Sequence, residues 1–309
     1  MASTPDRLVL SVADANLAAA LSDIEGVDVV VWDMNGPPPI PTIDLVVPPY
    51  LGGNDWTQQL ATVGTRLIQS TMLGYDGIAE LLPPGIVFAN AASVHEPSTS
   101  ELALALILAM QRGIPDFVRA AERGEWQRGW RQSLADRRVL LVGYGGVGKA
   151  IADRLAPFEV ELTRVAQHER TDELGQVHGI ELLFDLLPDA EIVIIAVPLN
   201  DSTDHLVDDG FLSRVSDGAL LVNIARGQVA DTDALLKHAS SGRLRLALDV
   251  TDPEPLPQGH PLFALENVLI SPHVGGATSA AVPRLIRLVK RQIERLQNGE
   301  EPLNVVIRT

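Results

Sequence analysis

Residues 139–148 read VLLVGYGGVG: the apolar run Val139 to Val142 leads straight into Gly143, Gly145 and Gly148, spaced G-x-G-x-x-G. By itself the spacing is weak evidence, because a chain with 25 glycines produces chance matches. The flanks sharpen it. A buried strand is expected before Gly143, and a helical stretch, 149–156, follows Gly148 and stops at Pro157. In that setting Gly143 permits a tight turn, Gly145 lets the backbone approach a pyrophosphate, and Gly148 lets helix and strand pack closely. The amides that open the helix then face phosphate oxygens. The expected element is a dinucleotide-binding turn.

An acidic residue about 20 positions further on normally binds the adenosine ribose. Here the second strand ends at Val165-Ala166-Gln167 with no Asp or Glu at its tip, and Glu169 comes late. Arg164, His168 and Arg170 stand nearby instead. Without a carboxylate there is no repulsion of a 2′-phosphate, and an arginine can bind one. The sequence therefore favours NADP over NAD, with Arg164 as a candidate contact.

Outward from the turn, short apolar or β-branched runs recur at 8–12, 27–32, 43–47, 66–69, 139–142, 160–165, 192–197, 219–223, 244–249 and 268–271. Stretches with helical spacing separate them, such as 232–240. Strand alternating with helix argues for parallel α/β layering, and nearly continuous apolar strands argue for helices on both sheet faces. Ser98 and Glu101 have the spacing of a capping box, so a helix is expected to begin near Ser98, run through 102–111 and end at Gly113 before Pro115. Apolar nearly all round, it should be buried. The segment 283–298 has apolar residues at helical spacing among arginines and can return to pack on the first unit.

Composition narrows the function. With 46% hydrophobic and 21% charged residues the chain has material for a real core. It has no cysteine, which removes disulfides, iron–sulfur clusters and thiolate zinc sites; no metal is expected. Against 40 acidic residues there are 24 basic ones, a net charge of −16, so there is no basic footprint for nucleic acid. That field also repels small anions, so an anionic substrate needs a locally placed arginine. MASTPDRLVL is not a signal peptide, and the longest apolar run, 102–110, is far short of the roughly 20 residues that span a bilayer. A soluble, cytoplasmic protein without a membrane partner is expected.

Three later segments each run from an apolar strand into a polar cluster: LLVNIARGQVADTDAL carries Arg226, LALDVTDPEPLP carries Asp249 and Glu254, and VLISPHVGGAT carries His273. The carboxyl ends of strands line the ligand crevice of an open α/β sheet, so these clusters should gather beside the glycine turn. With GYGGVG, VPLNDST, NIARG, LDVTDPEP and SPHVGG in this order, the sequence resembles the D-isomer-specific 2-hydroxyacid dehydrogenase family, from about Gln69 to the C-terminal PLNVV.

The resemblance implies two Rossmann-like, doubly wound parallel-sheet domains. One is a discontinuous, flavodoxin-like substrate domain (1–97 and 277–309); the other is a contiguous NAD(P)-binding domain (98–276). It implies hydride transfer between a nicotinamide cofactor and a small 2-keto or D-2-hydroxy acid, acting as a 2-keto-acid reductase. Arg226 would bind the substrate carboxylate or carbonyl by paired hydrogen bonds, His273 would be the proton donor, and Glu254 would pair with the imidazole, favouring its charged form and fixing the ring.

Family contacts to the cofactor map onto Gly143, Gly145, Gly146, Val147 and Gly148 at the turn, onto Val197 and Pro198 beside the adenosine, and onto Thr203. Others fall on Thr99, Ile224, Ala225, Arg226, Asp249, His273, Gly275 and Gly276; Asp249 alternatively only caps local backbone. The substrate loop, QSTMLGYDG, offers the amides of Leu73 and Gly74 to a carboxylate. Met72 departs from the small residue usual in the family, either as a wall that selects substrate shape or as packing. His95 is either near the substrate or bonded to loop backbone. A homodimer formed through the cofactor domain is implied, with the 102–110 helix a candidate contributor. Two other readings share these residues: a non-catalytic, NAD(H)-sensing corepressor-like protein, and a phosphite dehydrogenase-like enzyme.

Overall fold

The computed structural model describes residues 7–50 and 53–309. The opening MASTPD, where a signal peptide is not expected, lies outside the described residues. The chain forms two compact units, one made of the described residues up to His95 together with Ser279–Thr309, the other of Glu96–Thr278.

The first unit starts with β1 (Leu8–Val12), α1 (Ala15–Leu21), β2 (Val27–Val31), β3 (Leu45–Val47), β4 (Leu67–Gln69) and β5 (Val87–Ala89). Helix α1 has a side-chain cap: Asp14 accepts from the amides of Asn16 and Leu17. The second unit begins with α2 (Glu96–Arg112) and α3 (Ile114–Glu122). It continues through β6 (Arg138–Val142), α4 (Gly146–Leu155), β7 (Glu161–Ala166), β8 (Arg170–Asp172), β9 (Gly175–Gly179), α5 (Leu183–Leu186), β10 (Ile192–Ile195), α6 (Asp209–Arg214), β11 (Leu220–Asn223), α7 (Thr232–Ser240), β12 (Arg245–Leu248) and β13 (Val268–Ile270). The chain then returns to the first unit as α8 (Ala281–Gln297) and β14 (Val305–Arg308).

In the first unit the strand order is β14-β5-β4-β3-β1-β2, parallel except for the antiparallel edge strand β14. Helix α8 buries Leu285, Leu288, Val289 and Ile293 in the core beside Leu10, Val12, Leu45 and Leu67, while Arg287, Lys290 and Arg291 stay exposed. That spacing is one face of a helix, which is why the arginine-studded tail folds back. A buried amide pair locks the return: Gln292 Nε2 donates to Gln69 Oε1 at 2.7 Å and to the Leu303 carbonyl at 2.9 Å.

The second unit's sheet runs β13-β12-β11-β10-β6-β7-β9-β8, parallel except for β8. Its strands feed two cores by strict alternation. Leu140, Val142, Val193, Ile195, Leu221 and Leu246 enter one core; Val139, Leu141, Ile192, Ile194, Leu220 and Val222 enter the other. Each such side chain contributes about 1.5–3 kcal/mol on burial, so both faces demand a helical cover. The chain starts at β6, moves out to β7, then crosses to β10 on the opposite side. The order therefore reverses at β6, the position where open α/β sheets bind ligands.

Helix α2 departs from expectation at its start. It begins at Glu96, so Ser98 lies inside its first turn and bonds Thr278 Oγ1 at 2.7 Å instead of closing a box with the exposed Glu101. Its end matches the reading: Gly113 takes φ +66° after Arg112. Ala103, Leu104, Leu106 and Ile107 are buried in the second unit's own core, while Leu102, Leu108 and Met110 are only partly buried. The β8–β9 hairpin was not foreseen, because Arg170–Asp172 and Gly175–Gly179 are too polar and short to read as strands. Among the described residues, no helix is long and apolar enough to cross a membrane.

Candidate active site

The glycine turn lies at the carboxyl end of β6. Gly143 holds φ +104°, and a Cβ there would sit 2.4 Å from the Ala196 carbonyl oxygen, at the end of β10. A Cβ on Gly148 would sit 2.1 Å from the Gly143 carbonyl oxygen. Both positions thus exclude any side chain, for backbone conformation at the first and close helix–strand approach at the second. A Cβ on Gly145 would meet nothing within 4 Å. The turn is tightly packed underneath and open above, a cradle that fits a pyrophosphate at the N-terminus of α4, which opens with Gly146 and Val147.

The ends of the other strands follow in order along the same edge. After β10 come Val197 and Pro198. Thr203, a candidate cofactor contact, is 7% exposed and turned into its own loop: its hydroxyl donates to the Pro198 carbonyl at 2.6 Å and accepts from the Asn200 amide. After β11, Asn223 accepts from the Ala225 amide and donates to the Arg226 carbonyl, fixing the turn that holds Ile224, Ala225 and Arg226. Arg226 Nη1 donates to the Ala225 carbonyl at 2.8 Å. A Cβ on the next residue, Gly227, would lie 1.9 Å from the Thr251 carbonyl oxygen, so the Arg226 turn packs directly on the loop that carries Glu254.

Asp249, at the end of β12, is 3% exposed and organises the third cluster. Oδ1 accepts from Ser271 Oγ at 2.6 Å and the Val274 amide at 3.0 Å; Oδ2 accepts from the Gly275 amide at 2.9 Å. The His273 amide donates to the Asp249 carbonyl at 2.7 Å. These bonds hold His273 in left-handed backbone, φ +52°, and its Nδ1 lies 2.5 Å from Glu254 Oε1. Asp249 therefore caps this loop, whatever else it meets. Thr99, in the first turn of α2, reaches the same loop, with Oγ1 3.4 Å from where a Gly275 Cβ would be. Gly276 follows in that loop.

Arg164 requires a correction. It is 3% exposed, and its guanidinium is spent on Asp172 (2.8 and 2.9 Å), the Tyr144 hydroxyl (2.9 Å) and the Gln176 carbonyl (3.2 Å). Burial alone lowers its pKa, but the bonds to Asp172 and Tyr144 carry it above the ordinary guanidinium value. The bond from Arg164 in turn holds Asp172 below the ordinary carboxylate range. Arg164 therefore ties the β8–β9 hairpin to the sheet and does not face a ligand. Arg170, which the sequence placed in the same neighbourhood, is exposed.

In the first unit, the loop after β4 is pinned from beneath. Ser70 Oγ accepts from the Met72 amide, the Ala91 amide donates to the Met72 carbonyl, and Asn90 Nδ2 donates to the Leu73 carbonyl. The amides of Leu73 and Gly74 make no hydrogen bond among the described residues, and the Met72 side chain is exposed. His95 is 5% exposed, and its Nε2 bonds the Thr71 carbonyl at 2.7 Å. Because a carbonyl only accepts, Nε2 carries the proton. Its ring stacks at a tilt on Tyr50, 5.5 Å between centroids. Burial raises the Tyr50 pKa. His95 thus supports the loop's backbone.

A reversed-order parallel sheet, a glycine cradle at its switch point and an acid–imidazole pair on the same edge define a nicotinamide-dinucleotide-dependent dehydrogenase. Residues 104–275 match the family described as D-isomer specific 2-hydroxyacid dehydrogenase, NAD binding domain. The chain is 33% identical over 253 residues to glyoxylate reductase of Thermofilum pendens, covering 78% of this chain and 75% of that one. It is 34% identical over 258 residues to glyoxylate reductase of Pyrococcus furiosus, with the same coverage of 78% and 75%. A D-isomer specific 2-hydroxyacid dehydrogenase from Xanthobacter autotrophicus Py2, solved in complex with NADPH and MES, superposes with a TM-score of 0.81 at 26% identity and 98% coverage of both chains. The chain belongs to the D-isomer specific 2-hydroxyacid dehydrogenase family and is an NAD(P)-dependent oxidoreductase of that class.

Proposed function

We propose that the protein reduces a small 2-keto acid to the D-2-hydroxy acid, with His273 as proton donor, Glu254 as its partner and Arg226 as the cation for the substrate. The observation that carries this reading is the His273–Glu254 pair, 2.5 Å apart, on a loop packed against the Arg226 turn. When bound, the nicotinamide supplies the hydride to the carbonyl carbon. His273 Nε2 delivers a proton to the carbonyl oxygen while Nδ1 is held by Glu254, which fixes the ring and supports its positive charge. Arg226 neutralises the carboxylate in a protein of net charge −16. The amides of Leu73 and Gly74, which make no hydrogen bond among the described residues, are assigned in this reading to the substrate carboxylate, and the exposed Met72 side chain to limiting its substituent.

NADP is the preferred cofactor in this reading, because no carboxylate stands at the tip of β7, where Ala166 and Gln167 are found. The NADPH complex of the Xanthobacter relative is in keeping with it. A homodimer through the cofactor domain is proposed. Trp126 and Trp130 are 87% and 100% exposed in an extended segment anchored by Arg131 to Asp116, by Gln132 to Arg245 and by Ser133 to Gln111. Such apolar exposure on an anchored arm suits burial against a second copy.

The test is oxidation of NADPH and of NADH, followed by absorbance, over glyoxylate, hydroxypyruvate, pyruvate and bulkier 2-keto acids. Turnover of the small acids is expected, with R-configured product from hydroxypyruvate and pyruvate; glycolate, from glyoxylate, is achiral. Tight NADPH binding with no turnover of any keto acid would instead favour a dinucleotide sensor. Light scattering on wild type and the double variant Trp126→Ser, Trp130→Ser should show a dimer and a monomer; an unchanged mass would move the interface elsewhere.

A further inference from the structure

Helix α4 opens on Gly146, a position whose backbone does not ask for glycine: unlike Gly143, it lies outside the left-handed region. Glycine in a helix costs conformational entropy, so its presence there needs another cause. That cause comes from α2. A Cβ on Gly146 would sit 3.1 Å from Glu96 Oε1, 3.3 Å from Glu96 Cγ and 3.7 Å from its carboxyl carbon. The Glu96 side chain therefore lies flat over the first residue of α4, in the space that a side chain at 146 would fill.

Glu96 is 8% exposed and stands in the first turn of α2, three residues before Thr99. Residues three apart share a helix face, and this face meets both loops of the site. Glu96 touches the glycine turn, while Thr99 reaches Gly275 in the His273 loop. The amides of Gly146, Val147 and Gly148 open α4 and make no hydrogen bond among the described residues. They are the donors that suit a pyrophosphate. A carboxylate beside them gains from the positive end of the α4 dipole. A dinucleotide pyrophosphate seeks the same field and brings two negative charges of its own. Two anions at one helix terminus repel, and the repulsion is strong where the acid is shielded from water.

We infer that Glu96 limits dinucleotide affinity: its carboxylate, seated over Gly146, repels the pyrophosphate and so speeds release of the cofactor after each turnover. This rests on the reading of the glycine turn as the pyrophosphate cradle. Gly146 is the counterpart of Glu96, a helix position given up to seat the acid. The effect is one of charge and not of shape, so an uncharged residue at 96 binds the dinucleotide more tightly than the native one. It acts on the pyrophosphate, so it is the same for NADH and NADPH and is shared by ADP-ribose, which lacks the nicotinamide. Adenosine, without phosphate, does not feel it.

The experiment compares wild type, Glu96→Gln, Glu96→Ala and Gly145→Val. Calorimetry gives Kd for NADH, NADPH, ADP-ribose and adenosine; stopped-flow fluorescence gives the rate of NADPH release. Both Glu96 variants should bind NADH, NADPH and ADP-ribose about 5- to 50-fold more tightly than wild type, with adenosine within about twofold. NADPH release should slow severalfold. Unchanged or weaker ADP-ribose binding by Glu96→Gln would overturn the assignment. A gain confined to NADH and NADPH would overturn it too, by moving the action of Glu96 to the nicotinamide end. Tightening in Glu96→Gln alone would credit a new bond from the amide and overturn the charge account. Gly145→Val tests the cradle itself: a Cβ there meets nothing within 4 Å, so the variant should fold, yet its side chain fills the cradle and should abolish ADP-ribose binding. Full ADP-ribose affinity in Gly145→Val would overturn the cradle reading and the Glu96 assignment with it. Failure of the Glu96 variants alone leaves the cradle standing.

Discussion

His273 Nδ1 lies 2.5 Å from Glu254 Oε1, although the histidine must adopt φ +52° to reach it. Left-handed backbone is uncommon for a residue with a side chain, and it persists only where neighbours over-determine it. Asp249 does so here: its carbonyl takes the His273 amide and its carboxylate takes the next two amides. The local strain is the cost of aiming the imidazole at its acid.

Replacing Glu254 by Gln preserves an acceptor for Nδ1–H but removes the charge that supports a protonated ring. The expected result is a fall in kcat of about 10- to 100-fold, part of what general acid catalysis supplies. Kd for the cofactor, measured by fluorescence titration, should not change. Wild-type kcat in this variant would sever Glu254 from the proton transfer.

Asp249→Ala removes the acceptor for Ser271, Val274 and Gly275 together. Unfolding by urea should show a loss of about 2–4 kcal/mol, since bonds to a buried charge are broken. Turnover should fall with it, because the His273 loop loses its clamp. Stability within error of wild type would mean the loop is held by other means.

Gly227→Ala probes the packing of the Arg226 turn on the Glu254 loop. A Cβ there collides with the Thr251 carbonyl, and backbone cannot step aside as a flexible side chain can. Overpacking of this kind costs about 1–3 kcal/mol, and the displaced Arg226 should raise KM for the keto acid. An unchanged KM would show that the two loops are not coupled.

Asp172 gives a pH-dependent expectation. The bond from Arg164 lowers its folded pKa, so the stability it contributes is present above the unfolded value, about 3.9, and is lost as pH falls through the lower folded value. Asp172→Asn should therefore lower Tm at neutral pH, with the gap to wild type closing as the solution is acidified. A gap constant with pH would assign the effect to shape and not to charge.

Much of this architecture is legible in the sequence alone. The runs at 8–12 and 27–32 became β1 and β2 because uninterrupted apolar residues suit a sheet covered on both sides. The 139–148 stretch became β6, the turn and the start of α4, because glycine alone tolerates those contacts. Arg226, Glu254 and His273 lie on one edge because parallel strands present their carboxyl ends together. What escaped was set by tertiary contact. Val87–Ala89 is too short to announce a strand, and Val305–Arg308 is a strand only because β5 offers an open edge. Arg164 reads as a ligand contact because sequence shows charge and not burial; its acid partner, Asp172, comes from a hairpin with no sequence signal. Ser98 lost its expected cap because the helix began earlier, where Thr278 draws the hydroxyl away.

The central claim is that His273 donates the proton in a keto-acid reduction. Its most direct test is single-turnover reduction of glyoxylate by His273→Ala loaded with reduced cofactor. The account predicts a rate reduced by about 100- to 10,000-fold with cofactor Kd within about twofold of wild type. Reduction at the wild-type rate by that variant would contradict it.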